Sequence, residues 1–306
     1  MMIIEKRMSL LEFLPDHVEK KPGLMIVDFS LLALSTVFAT FKPTELYTKE
    51  NVKTCILSSI KTLTKKFKAK YPEIVLAMDA RDYWRRDIAP YYKGHRAGNR
   101  DKSPYDFETI YAGMNELEVE LKTNFPYKIL NVDRCEADDI AGVLCKYYHT
   151  KYENILLASA DGDWLQLQQF RNVKQFSSMH GKMIQPKHGS PKNHLLYKII
   201  KGDKKDAIAN IRSVRDAVTT KVRQKSIGES TFDTWAKQSP ESFCDSAMLE
   251  RFYENESLLD LTKVPEKYEN DIINAFENEV PRGRGKIYSY LIKGGFSHLV
   301  EYATDF

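Results

Sequence analysis

Ile155-Leu156-Leu157-Ala158-Ser159-Ala160-Asp161-Gly162-Asp163 is the stretch whose reading decides the fold: a short unbroken apolar run that delivers two carboxylates. Without alternation, such a run reads as a strand buried on both faces, as in a parallel sheet covered by helices. Two earlier runs repeat the pattern. Leu24-Met25-Ile26-Val27, opened by Pro22-Gly23, ends in Asp28, and Ile74-Val75-Leu76-Ala77-Met78 ends in Asp79. Between them the spacing of Val52, Ile56, Ile60, Leu63 and Phe67 predicts a helix from about Asn51 to Lys70, stopped by Tyr71-Pro72. Strands alternating with helices argue for an α/β fold with a twisted, mostly parallel sheet flanked by helices. In such sheets ligands bind at the carboxyl ends of the strands, so Asp28, Asp79 and Asp161 can converge on one site.

A further strand candidate, Lys128 to Val132, leads to Glu136-Ala137-Asp138-Asp139, and Ile140, Val143, Leu144 and Tyr147 then form a helical stripe. Glu136, Asp138 and Asp139 are thus expected in a first helical turn, where capping alone explains one acidic cluster. Asp161-Gly162-Asp163 alone is equally well a strand-to-helix turn, with Gly162 at a special dihedral and Asp163 as a cap. Two such clusters and two strand-end aspartates on one sheet edge repel one another unless a cation compensates them, and a divalent metal is the expectation. Gly202-Asp203-Lys204-Lys205-Asp206 follows the apolar segment Leu195 to Ile200 and by itself reads as a turn.

The 306 residues suggest about two domains. At 42% hydrophobic and 29% charged residues the chain reads as globular, and no apolar run approaches the roughly 20 residues of a membrane helix. Met1 to Arg7 lacks the order of a signal peptide, so the cytoplasm, that of the host if the protein is viral, is the expected location. Cys55, Cys135, Cys145 and Cys244 show no metal or disulfide spacing. Nucleotide-binding glycine motifs are absent, and Leu165 and Leu167 exclude a calcium loop after Asp161.

The net charge of +4 matters less than its distribution. From Ala80 to Pro104 seven basic residues (Arg81, Arg85, Arg86, Lys93, Arg96, Arg100, Lys102) face three aspartates, with Tyr83, Trp84, Tyr91 and Tyr92 interleaved. Basic and aromatic residues together suit single-stranded nucleic acid, through phosphate attraction and stacking. Residues 20–187 are read as the α/β domain. Residues 188–306 are read as a mainly α-helical domain whose basic cluster, Lys204 to Lys225, contacts a duplex backbone. Pro281 to Lys286 is a basic loop before an apolar helix, Ile287 to Leu291. Residues 1–19 carry Leu10, Leu11 and Leu14 at helical spacing, which fits either a helix packed on the domain or a tether for a partner such as a sliding clamp.

Asp28, Asp79, Glu136-Ala137-Asp138-Asp139, Asp161-Gly162-Asp163 and Gly202 to Asp206 occur in the order and spacing of the flap endonuclease or 5′ nuclease superfamily, which the chain resembles. Tyr83-Trp84-Arg85-Arg86-Asp87, Lys201 to Asp206 and Arg284 to Tyr290 resemble its branch of T-even bacteriophage ribonucleases H. The resemblance implies a PIN-like 5′ nuclease fold with a helical arch at about residues 80–104. It implies two Mg²⁺ sites, which Mn²⁺ can also fill: Asp28, Asp79, Glu136, Asp138 and Asp139 around the first, Asp161, Asp163, Asp203 and Asp206 around the second. Arg86 and Lys93 are then the candidates for holding the scissile phosphate. Arg85, Tyr92, Arg96, Lys204 and Lys205 are candidates for other nucleic-acid contacts, Tyr92 by stacking on a base. The implied substrates are RNA primers in RNA–DNA hybrids and flapped or nicked duplex DNA, cut by a monomer alongside a sliding clamp and a single-stranded-DNA-binding protein. Family members often clamp duplex through a glycine-rich turn after the Gly-Asp-x-x-Asp motif, whereas Ala207 to Val214 contains no glycine. A ribonuclease-only enzyme, and a structure-specific nucleic-acid-binding protein with a structural metal, are the alternatives.

Overall fold

The computed structural model describes residues 20–306, so the segment Leu10 to Leu14 and its expected tether role lie outside the described residues. Strand β1 (Lys21–Asp28) passes directly into α1 (Phe29–Thr40), because the Asp28 carboxylate accepts from the Leu31 amide at 3.0 Å and caps the helix. A Thr48–Asn51 capping box starts α2 (Lys49–Phe67), which leads to β2 (Glu73–Ala77). Two short helices follow, α3 (Arg85–Ile88) and α4 (Arg96–Asp101), then the long α5 (Phe107–Asn124), capped by Asp106. β3 (Lys128–Leu130), α6 (Ala137–Tyr148) and β4 (Tyr152–Ala158) come next, then a 3₁₀ helix at Asp163–Gln169 and strands β5 (Val173–Ser177) and β6 (Lys182–Ile184). The remaining helices are α7 (Pro191–Lys201), α8 (Glu229–Trp235), α9 (Pro240–Phe243), α10 (Ser246–Leu259), α11 (Glu266–Asn278), α12 (Ile287–Lys293) and α13 (Ser297–Val300).

The strands form one sheet in the order β3-β2-β1-β4-β5-β6, parallel except for β6, which runs antiparallel to β5. This is the expected α/β class. Chain order reverses between β1 and β4, the topological switch point at which an open α/β sheet leaves a crevice. Asp28 ends β1 beside Ala77 of β2, and Val27 pairs with Ala158 of β4, so the three apolar runs deliver their aspartates to one edge. The second helix begins and ends earlier than its stripe suggests. β4 stops at Ala158, leaving Asp161 on the loop beyond the strand rather than at its end.

Each sheet face carries its own core. Met25, Val27, Ile56 and Leu117 pack on one face, and Leu24, Ile26, Val143 and Leu157 on the other. The carboxyl-terminal segment does not stand apart from them. Ile287, Leu291, Phe296, Leu299 and Phe306 join the first core, while Leu261, Tyr268, Ile272 and Phe276 join the second. A third cluster, with Ile199, Ile200, Ile211 and Phe252, unites α7 and α10. A division at residue 187 therefore marks where strands give way to helices, but packing crosses it. Residues 207–228, expected to be helical, form turns and extended chain with no helix. The basic residues there sit on an irregular surface rather than in a helix-turn-helix. No helix of the described residues is long and apolar enough to cross a membrane.

Candidate active site

At the carboxyl edge of the sheet lies a cavity of about 930 Å³ lined by Asp28, Asp79, Glu136, Asp138 and Asp161. Each carboxylate is aimed by a local hydrogen bond. Asp28 Oδ2 accepts from Ser159 Oγ (3.0 Å), the Asp79 carboxylate accepts from the Ala137 amide at the start of α6 (2.9 Å), and Asp138 accepts from the Trp164 indole (2.6 Å). Asp161 accepts from the Asp163 amide (2.9 Å), and Gln175 of β5 holds the Asp161 carbonyl (2.7 Å). Gly162 between them is ordinary right-handed backbone (φ −68°), contrary to the expected special dihedral, because Asp161 closes the turn with its own side chain. The Gly162 carbonyl is held by His194 Nε2 of α7 at 3.0 Å. Burial keeps His194 below the usual imidazole range and therefore neutral.

The candidate carboxylates separate into two electrostatic classes. Asp28, Asp79, Asp138 and Asp161 take part in no ion pair among the described residues, whereas Glu136, Asp139, Asp163, Asp203 and Asp206 all do. The consequence is visible in their proton affinities. Burial, then the charges of Asp79 and Asp161, push Asp28 up to about 7. Burial also pushes Asp138 well above the usual carboxylate range, with Asp161 and Glu136 adding to it and Lys93 opposing. By contrast burial raises Glu136, but Lys93 and Arg85 outweigh it and hold the group below its ordinary value. Lys198 does the same for Asp203, again against burial.

Three of the five paired carboxylates, Glu136, Asp139 and Asp206, are held by the region expected to bind nucleic acid. Arg85, only 1% exposed, contacts Glu136 at 3.0 Å and Asp139 at 2.8 Å, and its Nε donates to the Leu258 carbonyl at 2.8 Å. It faces the interior in this conformation and cannot reach a substrate. Tyr92 is likewise buried, its hydroxyl on Glu136 at 2.9 Å, so its ring is closed to a base. Asp139 is turned away from the cavity, accepting from the Trp84 indole (3.2 Å) and the Glu136 amide (2.8 Å). Lys93 bonds Glu136 and lies 3.9 Å from Asp206, and Arg96 reaches Asp206 at 2.6 Å. Both Lys93 and Arg96 line the cavity. Lys198 of α7 bridges Asp163 and Asp203, the latter at 2.6 Å, which places these two carboxylates beside each other. Arg86 is half-buried, pairs with Asp82 at 3.2 Å and does not line the cavity; Lys204 and Lys205 lie exposed in the 3₁₀ turn after Asp203.

No three His, Cys, Asp or Glu side chains among the described residues are disposed to hold one ion directly. That arrangement suits a hard ion which keeps most of its water and takes one or two protein carboxylates plus substrate phosphate. Four carboxylates without a cation around one cavity, two of them with raised proton affinity, fit such an ion. Sequence reasoning missed Ser159, Trp164, Gln175 and His194, the residues that aim the acids. Of these only the placement of Trp164 directly after Asp163 gave a signal.

The chain is similar to known nucleases. Residues 23–192 match the family described as 5′-3′ exonuclease, N-terminal resolvase-like domain, and residues 189–306 match T4 RNase H, C terminal. The chain is 36% identical over 304 residues to the ribonuclease H of Enterobacteria phage T4, covering 97% of this chain and 99% of that protein. It is 28% identical over 152 residues to the flap endonuclease of Escherichia phage T5, 48% of this chain and 49% of that one. A solved structure of the T5 flap endonuclease as a pseudo-enzyme-product complex with DNA and metal ions superposes with a TM-score of 0.59 at 20% identity, covering 92% of this chain and 99% of that one. At that identity the likeness is one of fold.

Proposed function

Because the chain belongs to the 5′-3′ exonuclease family of nucleases, with a carboxyl-terminal part of the T4 ribonuclease H type, we propose that it is a Mg²⁺-dependent 5′ nuclease. Its substrates are RNA in RNA–DNA hybrids and the 5′ ends of flapped or nicked duplex DNA, and its place is replication, beside a clamp and a single-stranded-DNA-binding protein. The observation that carries the reading is the unpaired set Asp28, Asp79, Asp138 and Asp161 around one cavity.

Asp28, Asp79, Asp138 and Asp161 would surround one divalent ion, one or two of them directly and the others through its water, with Glu136 nearby; Asp163, Asp203 and Asp206 would serve a second in the same way. Bound there, divalent ions supply water activation and neutralisation of the departing oxygen. The chain's own residues do the rest. Ser159, Trp164 and the Ala137 amide keep three carboxylates aimed into the cavity. Lys93 and Arg96 line the same cavity, so a substrate phosphate competes with Glu136 and Asp206 for them and draws charge-assisted donors onto the scissile group. Arg86, once released from Asp82, is a second phosphate donor, and Lys204 and Lys205 meet the duplex backbone.

The test is a single assay with 5′-labelled flap, nicked duplex and RNA–DNA hybrid, with and without Mg²⁺. Cleavage near the labelled end that requires the metal is expected. Tight binding of all three substrates with no cleavage under Mg²⁺ or Mn²⁺ would instead establish the binding-protein alternative.

A further inference from the structure

The carboxylates without a cation do not present their two oxygens equally. Asp79 Oδ1 accepts from the Ala137 amide at 2.9 Å, Asp161 Oδ1 from the Asp163 amide at 2.9 Å, and Asp138 Oδ1 from the Trp164 indole at 2.6 Å. Their second oxygens take no hydrogen bond among the described residues, and all three side chains line the cavity only partly buried. Each therefore offers the cavity one free oxygen rather than two. Asp28 has both engaged, Oδ1 by the Leu31 amide and Oδ2 by Ser159, each at 3.0 Å. Two of the three single ties are main-chain amides, inseparable from the helix or turn that carries them. The third is a side chain, and a rigid one. Trp164 is 0% exposed, a member of the second core with Val143 and Leu157, and its N–H has no other acceptor among the described residues. A ring packed on all sides does not swing to follow a carboxylate that turns.

We propose that Trp164 is a positioning residue that sets ion selectivity: by fixing one oxygen of Asp138 it restricts that carboxylate to single-oxygen contact, which suits Mg²⁺ and disfavours Ca²⁺. The proposal rests on the nuclease reading above. Mg²⁺ demands near-octahedral geometry and keeps several waters, so it meets a carboxylate through one oxygen. Ca²⁺ takes roughly six to eight oxygens and fills its larger shell in part with carboxylates that turn both of theirs toward it. Turning Asp138 in that way breaks the indole bond and leaves a buried N–H without an acceptor, a cost that falls on Ca²⁺ alone. Donors behind a metal ligand change its affinity by roughly ten- to hundred-fold. The charges around the cavity act almost alike on two divalent ions, which leaves ligand geometry to separate them. Ser159 provides the contrast within the same site. Without its hydroxyl, Asp28 is still tied through the Leu31 amide and still has one free oxygen, so aiming changes while the number of oxygens offered does not exceed one.

The experiment is an equilibrium competition on the full chain without nucleic acid. Mn²⁺ is bound as a paramagnetic probe and displaced by Mg²⁺ or by Ca²⁺, and the resonance of released Mn²⁺ gives the ratio of the two affinities. The wild type is compared with Trp164→Phe, and Ser159→Ala is the control for aiming alone. Because the smaller ring leaves a space in the core, a second replacement puts the benzothiophene analogue of tryptophan at position 164, which fills the same volume and lacks only the N–H. Thermal unfolding verifies that each protein folds. The ratio is expected to move toward Ca²⁺ by roughly ten-fold in both replacements of Trp164. In Ser159→Ala it should keep the wild-type value, whatever happens to the absolute affinities. Affinities for both ions that fall in proportion, or that do not change, when the N–H is removed would make the indole a packing or aiming group and overturn the proposal. Failure of the wild type to bind Mn²⁺ would instead count against the nuclease reading, and the proposal would fall with it.

Discussion

Asp28 combines burial, two like-charged neighbours and no cation, and the sign of its effect on stability follows. Its affinity for a proton is higher in the folded protein than the ordinary value of 3.8, reaching about 7, so the fold binds more protons than the unfolded chain between roughly pH 4 and 7. Stability of the metal-free protein should therefore fall as pH rises through 7, the reverse of what Glu136 and Asp203 contribute with their lowered values. Urea unfolding in EDTA from pH 5 to 8 should show this decline, reduced in Asp28→Asn and removed by millimolar Mg²⁺. A flat profile in the wild type would contradict the electrostatic reading. Lys93→Ala takes a cation from buried Glu136 but leaves Arg85, so a loss of the order of 3 kcal/mol or less is expected. Single-turnover cleavage should fall by more than flap affinity does. An effect confined to affinity would remove Lys93 from the reacting phosphate.

Among the elements, the junction of α7 with the turn after it shows most directly how backbone chemistry sets the second acidic group. Gly202 has φ +74° and ψ 177°, a region open almost only to glycine, and a Cβ there would lie 2.5 Å from the Ile208 carbonyl oxygen. Gly202→Ala should cost roughly 2 kcal/mol or more and displace Asp203 from Lys198; thermal unfolding of the variant measures the first. This glycine was legible as a helix end in the sequence, as were the three apolar runs, their terminal aspartates and the start of α6, because each depends on neighbours within a few residues. What escaped depends on distant ones. Nothing in Tyr83-Trp84-Arg85-Arg86-Asp87 says that Arg85 turns inward to Glu136 and Asp139 while Arg86 stays half-buried beside Asp82. The basic, aromatic composition of residues 80–104 reads as an open arch, yet three of its five named contacts, Arg85, Tyr92 and Lys93, are buried against Glu136. The turns at 207–228 were not told apart from the helices around them, because the loss of strand-like runs after residue 187 was read as helix throughout. Strand β5 was passed over because Lys174, Gln175 and Ser177 dilute its apolar pattern.

Across the whole molecule, the carboxyl-terminal segment is part of what holds the sheet. Ile287, Leu291, Phe296, Leu299 and Phe306 are all at most 3% exposed and pack with α2 and α5 residues on one sheet face. At about 1.5–3 kcal/mol for each buried side chain, their combined burial rivals the 5–15 kcal/mol stability of a whole domain. Deleting residues 287–306 should therefore abolish cooperative urea unfolding rather than merely weaken DNA contact. A truncated chain that unfolds cooperatively near the wild-type midpoint would make the segment an appendage. The α/β scaffold, braced in this way, serves to present four carboxylates without a cation at one edge, and the claim that they hold divalent metal is open to direct measurement. Calorimetric titration of Mn²⁺ into the metal-free wild type and Asp138→Asn should show at least one site in the wild type that is lost, or weakened by about ten-fold or more, in the variant. Equal stoichiometry and affinity in the two proteins would contradict it.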